Sequence, residues 1–209
     1  MNRRQFLGAT ATTLAVSATP AFAHRKYEVP EEYMPELVGL SVDLPPNEIH
    51  VEPDEFALYL VMPSGQTAIR YTVGVGRGRL YHSGVYTVGN KVEWPSWKPT
   101  RQMIARNPKQ YTKYADGVPG GPENPLGARA LYLYNAGGYD TALRIHGTPQ
   151  PWTIATAVSN GCARLVNEHA IQLYDQVEMG ARVVLHEKGR LKNGGRGDLT
   201  AIPDRSVHS

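Results

Sequence analysis

The sequence predicts a mainly β, turn-rich, soluble domain, and three observations point there. Of 209 residues, 41% are apolar and 20% charged, an ordinary balance for a chain that builds its own core. Its 21 Gly and 16 Pro punctuate the chain too often for long helices. Apolar residues alternate with period two through Ile69, Tyr71, Val73 and Val75, as in a half-buried strand.

The first segment reads as an export signal. Arg3-Arg4 precedes Gln5-Phe6-Leu7 and a mild apolar stretch to Val16, and Ala21-Phe22-Ala23 sets small residues at a cleavage site. This pattern predicts a twin-arginine-type signal peptide over 1–23. A membrane anchor is the weaker reading, because the apolar run falls short of the roughly 20 residues that span a bilayer. No later segment is apolar enough to span. The mature chain is expected to begin near His24, in the periplasm. Without Arg3 and Arg4 the formal charge falls from +3 to about +1. That is too little to argue for nucleic acid or a membrane surface as partner.

Residues 24–47 carry Pro30, Pro35, Pro45 and Pro46 and read as an extended lead-in. Strands are expected at 49–51, 56–62, 68–75 and 84–94, with Pro63-Ser64-Gly65-Gln66 turning the second into the third. Gly74, Gly76 and Gly78 have a phosphate-loop look, but no strand-to-helix switch follows, so the spacing carries little weight. Residues 95–129 hold no sustained period. One short helix is expected there, Arg101 to Arg106 with Thr100 as N-cap. A connection this long is a lid or a disordered segment, and Trp94, Trp97, Tyr111 and Tyr114 favour the lid. The two Trp have a second reading as ordinary core.

Strands resume at 130–134 and 142–146 around Gly137-Gly138. Asn167 is expected to cap the one main helix, which runs to about Val177 with Ile171, Tyr174 and Val177 on one face and His169 in solvent. Gly180 ends it, a last strand covers 181–186, and 188–209 is expected to be a disordered tail.

The chemistry concentrates at Ser159-Asn160-Gly161-Cys162-Ala163-Arg164. Cys162 is the sole cysteine, so no disulfide forms within the chain. Read alone, it is a buried inert thiol, an inter-chain link or a reactive group. Ser-Asn-Gly before it predicts a tight turn that lifts the thiol to a surface. A thiol near its ordinary pKa of about 8.5 needs a base or cation to become a nucleophile. Among seven histidines, His146 ends a strand just before Gly147-Thr148, a position that points into a cleft. A zinc site from His82, His146 and Cys162 lacks any ligand-pair spacing.

His146-Gly147-Thr148, the interval to Gly161, and Ser159-Asn160-Gly161-Cys162 resemble the signature of the L,D-transpeptidase (YkuD) family: a His, about fifteen residues, then Ser/Thr-His-Gly-Cys. Gly74-Val75-Gly76, Gly84 to Val88, Trp94-Pro95-Ser96-Trp97 and Asn124-Pro125-Leu126-Gly127 extend the likeness over 48–187. One departure stands out: Asn160 occupies the position of the family's second His.

The resemblance implies a mixed β-sandwich with the main helix after the catalytic Cys. It implies that Cys162 attacks a peptidoglycan tetrapeptide stem at diaminopimelate and expels D-Ala, with His146 as base. An amine of a second stem then resolves the acyl-enzyme, giving a 3→3 cross-link. Ser159, Asn160, Gly161, Gly147 and Thr148 form the active-site loop, and Arg164 pairs with a stem carboxylate or with a surface acid. The family is typically acylated by carbapenems and needs no cofactor or metal. Hydrolysis of the same intermediate, attachment of an envelope protein as acceptor, and a non-catalytic wall-binding domain remain alternatives at this stage.

Overall fold

In the computed structural model, which describes residues 27–189 and Leu199, the alternating runs do become strands. They are β1 (Glu36–Gly39), β2 (Ile49–Glu52), β3 (Ala57–Val61), β4 (Thr67–Thr72), β5 (Val75–Gly76), β6 (Gly84–Glu93), β7 (Arg129–Tyr134), β8 (Asp140–His146), β9 (Ala157–Ser159), β10 (Ala163–Arg164) and β11 (Arg182–Leu185). Three α-helices accompany them: α1 (Arg101–Arg106), α2 (Pro108–Tyr111) and α3 (Asn167–Gln176). Residues 1–23, expected to be a signal peptide, lie outside the described residues.

Among the described residues, nine strands form one mixed sheet in the order β1-β4-β3-β2-β11-β6-β7-β8-β10. Six of the eight neighbouring pairs are antiparallel, while β11 runs parallel to β2 and β10 parallel to β8. The sheet curls back on itself. Gly74, just after β4, exchanges both backbone hydrogen bonds with Arg164 of β10, at 2.9 and 2.8 Å. The chain then continues as β5 beside β9. The chain leaving β4, second in the strand order, thus meets β10, the last, next to the Ser159–Arg164 motif.

One face of the sheet and α3 enclose the main core, built from Ile49, Val51, Leu58, Leu60, Tyr71, Val73, Leu131, Leu133, Ile145, Leu165, Leu173 and Val183. β3 is buried on both faces. Leu58 and Leu60 point into the main core, while Ala57 and Tyr59 meet Ala68, Leu199 and the half-buried Val38, Leu40 and Leu44. The lead-in is therefore part of the fold: β1 pairs with β4 from Glu36↔Arg70 to Gly39↔Thr67. Of the expected tail 188–209, three residues are described, and all three contact the domain. Lys188 Nζ donates to Gly76 O at 2.6 Å, Gly189 N–H donates to Asp54, and Leu199 is buried with its carbonyl accepting from Ser41 N–H. The rest of 190–209 lies outside the described residues.

α3 departs from expectation in three ways. Val166, not Asn167, is the capping residue, and Asn167 Oδ1 instead accepts the N–H of Ala128 at 2.9 Å. The core stripe is Ala170, Leu173 and Val177, the three-to-four spacing that a helix face requires, with Ile171 and Tyr174 at its margin. His169 is buried rather than solvated and lies tilted against Tyr71 at 6.4 Å.

Candidate active site

Strand alternation sets the site. In the parallel β8–β10 pair, Ala163 lies beside Ile145 and Arg164 beside His146. Ile145 and Ala163 face the core, so Arg144, His146, Cys162 and Arg164 face the other way. All four line one cleft of about 920 Å3.

His146 is buried, and its Nδ1 is 2.5 Å from Gly147 O. A carbonyl only accepts, so Nδ1 carries the proton and Nε2 is the ring's acceptor. Burial pulls the imidazole down to about 3, the charges of Arg164 and Arg144 push the same way, and the Gly147 bond opposes them. The ring is neutral at pH 7. Burial pushes the Cys162 thiol up, while the backbone N–H of Arg144 and the Arg144 and Arg164 charges pull it down. The resting site therefore holds a thiol and a neutral imidazole, not an ion pair. Among the described residues no hydrogen bond joins them: Sγ lies 4.0 Å from Ala142 O.

That carbonyl is held by local strain. Ala142 has φ +60, sparsely populated for a residue with a Cβ, at an irregularity in the β7–β8 register. Asp140 staples it. Its Oδ1 accepts from Ala142 N–H at 2.8 Å and from Arg144 Nη1 at 2.6 Å, and Oδ2 accepts from Arg144 Nη2 at 2.8 Å. Burial alone raises the Asp140 carboxyl, but the Arg144 and Ala142 bonds bring it below its ordinary value. Arg144 also lies 3.7 Å over the Tyr132 ring.

Arg164 is the contrasting cation. Nη1 donates to Thr153 Oγ1 at 3.3 Å, its Nε is buried without a partner, and among the described residues no carboxylate pairs with it.

The motif turn is tied by Ser159, whose Oγ donates to Cys162 O at 2.6 Å and accepts from Gly161 N–H at 3.1 Å. The Cys162 N–H has no intramolecular acceptor among the described residues. Gly161 has φ +136, and a Cβ there would sit 2.9 Å from Leu80 O. Gly76 abuts the same turn: its Cβ would meet Gly161 Cα at 2.9 Å and Tyr81 Cα at 2.8 Å. Close packing, not phosphate binding, accounts for that glycine.

Residues 95–129 fold over the cleft. Thr100 caps α1 as expected, its Oγ1 accepting from Met103 N–H, but α2 and a one-turn 3-10 helix follow that the sequence did not announce. Trp97 packs on Tyr111 and Tyr114 at 6.3 and 5.8 Å and exchanges backbone bonds with Val118. Trp94 is 45% exposed, so neither the core nor the cleft claims it. Asn160 ties this segment to the motif: Oδ1 accepts from Arg106 Nη2 at 2.9 Å, and Nδ2 donates to Tyr111 OH at 2.8 Å.

Of the residues singled out by sequence, Cys162, His146, Thr148, Ser159, Asn160 and Arg164 line the cleft. Gly147 and Gly161 do not line it but sit in tightly packed turns beside lining residues, where a Cβ would meet Asn167 Oδ1 and Leu80 O. Thr148 Oγ1 accepts from Gln150 N–H and holds the turn after His146. His82 also lines the cleft, yet among the described residues no three His, Cys, Asp or Glu are grouped to hold a metal. Sequence reasoning missed Asp140, Arg144, Arg106 and the contact role of Tyr111. The i, i+4 spacing of Asp140 and Arg144 was a usable signal; contacts spanning about fifty residues left none.

A model of the YkuD L,D-transpeptidase catalytic domain matches residues 46–185. The probable L,D-transpeptidase YcfS of Escherichia coli is 33% identical over 150 residues, 70% of this chain and 46% of that protein. The probable L,D-transpeptidase ErfK/SrfK of the same organism is 35% identical over 131 residues, 62% of this chain and 40% of that one. The chain thus spans less than half the length of these relatives. A crystal structure from Brucella melitensis, named a probable carnitine operon oxidoreductase, is 44% identical, covers 78% of this chain and 99% of that one, and has a TM-score of 0.51.

Proposed function

The chain belongs to the YkuD family of L,D-transpeptidases, and from that premise we propose that it is an exported enzyme whose Cys162 is acylated by a peptidoglycan tetrapeptide stem at diaminopimelate. The oxidoreductase name belongs to the Brucella melitensis protein; the family match over 46–185 is the ground for the reading here. The observation that carries it is the shared outward face of β8 and β10. It sets a thiol and an imidazole with a free Nε2 in one cleft beside an unpaired guanidinium.

Arg164 holds a stem carboxylate, because a half-buried guanidinium whose Nε is orphaned and which has no acid beside it gains from an anionic ligand. The scissile carbonyl then lies against Cys162. With the imidazole near 3 and the thiol above its ordinary value, proton transfer before attack is strongly uphill. His146 Nε2 accordingly takes the thiol proton as the S–C bond forms, and returns it to the departing D-Ala amine. The Cys162 N–H faces the oxyanion. Asn160 replaces the family's second His without loss of the base, since His146 keeps that role. An amine of a second stem resolves the thioester. Export follows from the paired Arg3-Arg4 signal, and among the described residues no helix is long and apolar enough to cross a membrane.

Intact-mass measurement with tetrapeptide muropeptides tests the reading. The expected result is a covalent adduct with loss of D-Ala, absent in Cys162→Ala. Cross-linked dimers identify transfer, and tripeptide alone identifies hydrolysis. An unmodified wild-type protein with no product would sink the proposal.

A further inference from the structure

The cleft holds three guanidiniums in two states. Arg144 is neutralised by a bidentate bond to Asp140. Arg164 and Arg106 form no ion pair among the described residues, although Arg70, Arg129 and Arg182 all do. Lys98 adds a further positive charge to the lining, and Glu123 is the acid facing them there. Arg106 lies exposed on α1 at the rim of the cleft. Here its Nη2 is fixed on Asn160 Oδ1, two residues before Cys162, and the other side of the same amide is fixed on Tyr111 OH. Tyr111 in turn lies within electrostatic reach of Arg164. The amide of Asn160 can serve both neighbours at once because it offers an acceptor and a donor on one planar group.

We infer that Arg106, positioned by Asn160, is a specificity-determining residue that binds a second carboxylate of the peptide, so that the cleft selects stems bearing two free carboxylates over amidated ones. This rests on the reading above that the ligand is a stem peptide and that Arg164 takes one carboxylate. A guanidinium held through a single Nη keeps its remaining N–H groups for a planar anion. A carboxamide in that place loses the charge and one acceptor oxygen, and it sets an N–H₂ donor against guanidinium donors.

The test uses Cys162→Ala, which binds without turnover, and three synthetic tetrapeptide stems: one with both side carboxylates free and two monoamides, one at each carboxylate. Calorimetry on this background is expected to show at least one monoamide binding about tenfold or more weaker than the free stem. Adding Arg106→Gln abolishes the preference against one monoamide and leaves the preference against the other, which Arg164 reads, and Arg106→Lys keeps part of the first. Adding Asn160→Ala weakens the free stem as Arg106→Gln does, and the two together do no more than either alone, since both break one contact. Equal affinity for all three stems, or preferences against both monoamides that are unchanged by Arg106→Gln, overturns the inference. Failure of the wild type to turn over any stem while the binding preference persists defeats the acyl-enzyme proposal and leaves this one standing.

Discussion

Arg164 and His146 lie side by side across the β8–β10 pair, and burial together with the guanidinium charge holds the imidazole below its ordinary pKa. Replacing Arg164 by Met removes that charge and a half-buried cation with an orphaned Nε. The His146 titration, followed by ring NMR, is expected to move up from about 3 but to stay below 6.5, because burial is the larger cause. Thermal stability is expected to hold or rise, as apolar replacement of buried charge often stabilises by about 1–4 kcal/mol. Turnover of tetrapeptide stem should drop at least tenfold, as a carboxylate bond worth about 1.5–3 kcal/mol is lost. Unchanged turnover would remove Arg164 from the binding site.

The rate of carbapenem acylation at Cys162 should show no step near pH 6.5. His146 is already neutral down to about 3, so its acceptor nitrogen is available across the whole neutral range. The thiol lies above its ordinary value, so the rate should climb into the alkaline range as thiolate accumulates. Mass-resolved adduct formation from pH 5 to 10 reads this directly. A bell centred near neutrality would mean that thiolate and imidazolium pre-exist.

Stability should respond to acid in the opposite sense from a salt-bridged His. His146 stays neutral in the folded state and protonates near 6.5 when unfolded, so the unfolded state binds the extra proton as pH falls. The stabilising contribution is complete above 6.5 and is lost progressively toward 3, at up to about 1.4 kcal/mol per pH unit. His169, also lowered by burial, adds in the same direction. Denaturant melts of wild type and His146→Gln across this window check the slope, which the variant should reduce.

The motif residues and the strands were legible because their signals are local. Period-two alternation marks β4, Gly-Cys after Ser-Asn marks the turn, and Thr100 announces α1 three residues ahead of its bonded N–H. What escaped is what distance in sequence hides. Asn167 reads as a helix cap, but a buried N–H at Ala128 needed its oxygen more. His169 reads as solvated until Tyr71 arrives from a strand on the far side of the sheet. β9 and β10 are too short for any period and exist only because Gly74, Gly76 and Ile145 offer partners. The lid's second helix and its Asn160 contacts likewise depend on tertiary packing.

Gly161→Ala should damage the site more than the fold. The new methyl must adopt φ +136 and approach Leu80 O to 2.9 Å and Leu143 Cδ2 to 3.0 Å. Strain of about 1–3 kcal/mol is expected, relieved by moving the turn outward with Cys162 on it. Adduct formation should slow by an order of magnitude or more, while the thermal midpoint falls only a few degrees. Wild-type acylation would show that the turn's position does not matter.

Asp140 makes the case that a residue outside the motif governs the thiol. One carboxylate fixes both the strained Ala142, whose carbonyl faces Sγ, and the Arg144 guanidinium, whose charge and backbone N–H pull the thiol down. Asp140→Ala frees all of these together. Ala142 then relaxes from φ +60 and Arg144 loses its fixed position over Tyr132. Because the Asp140 side chain is 41% exposed, the ion pair itself stabilises the fold little, and the midpoint should move by only a few degrees. Acylation should fall about tenfold, with Asp140→Asn in between, since an amide oxygen still accepts from Ala142 N–H but carries no charge for Arg144. Equal acylation rates in wild type and Asp140→Ala would show that the bulge serves the strand alone.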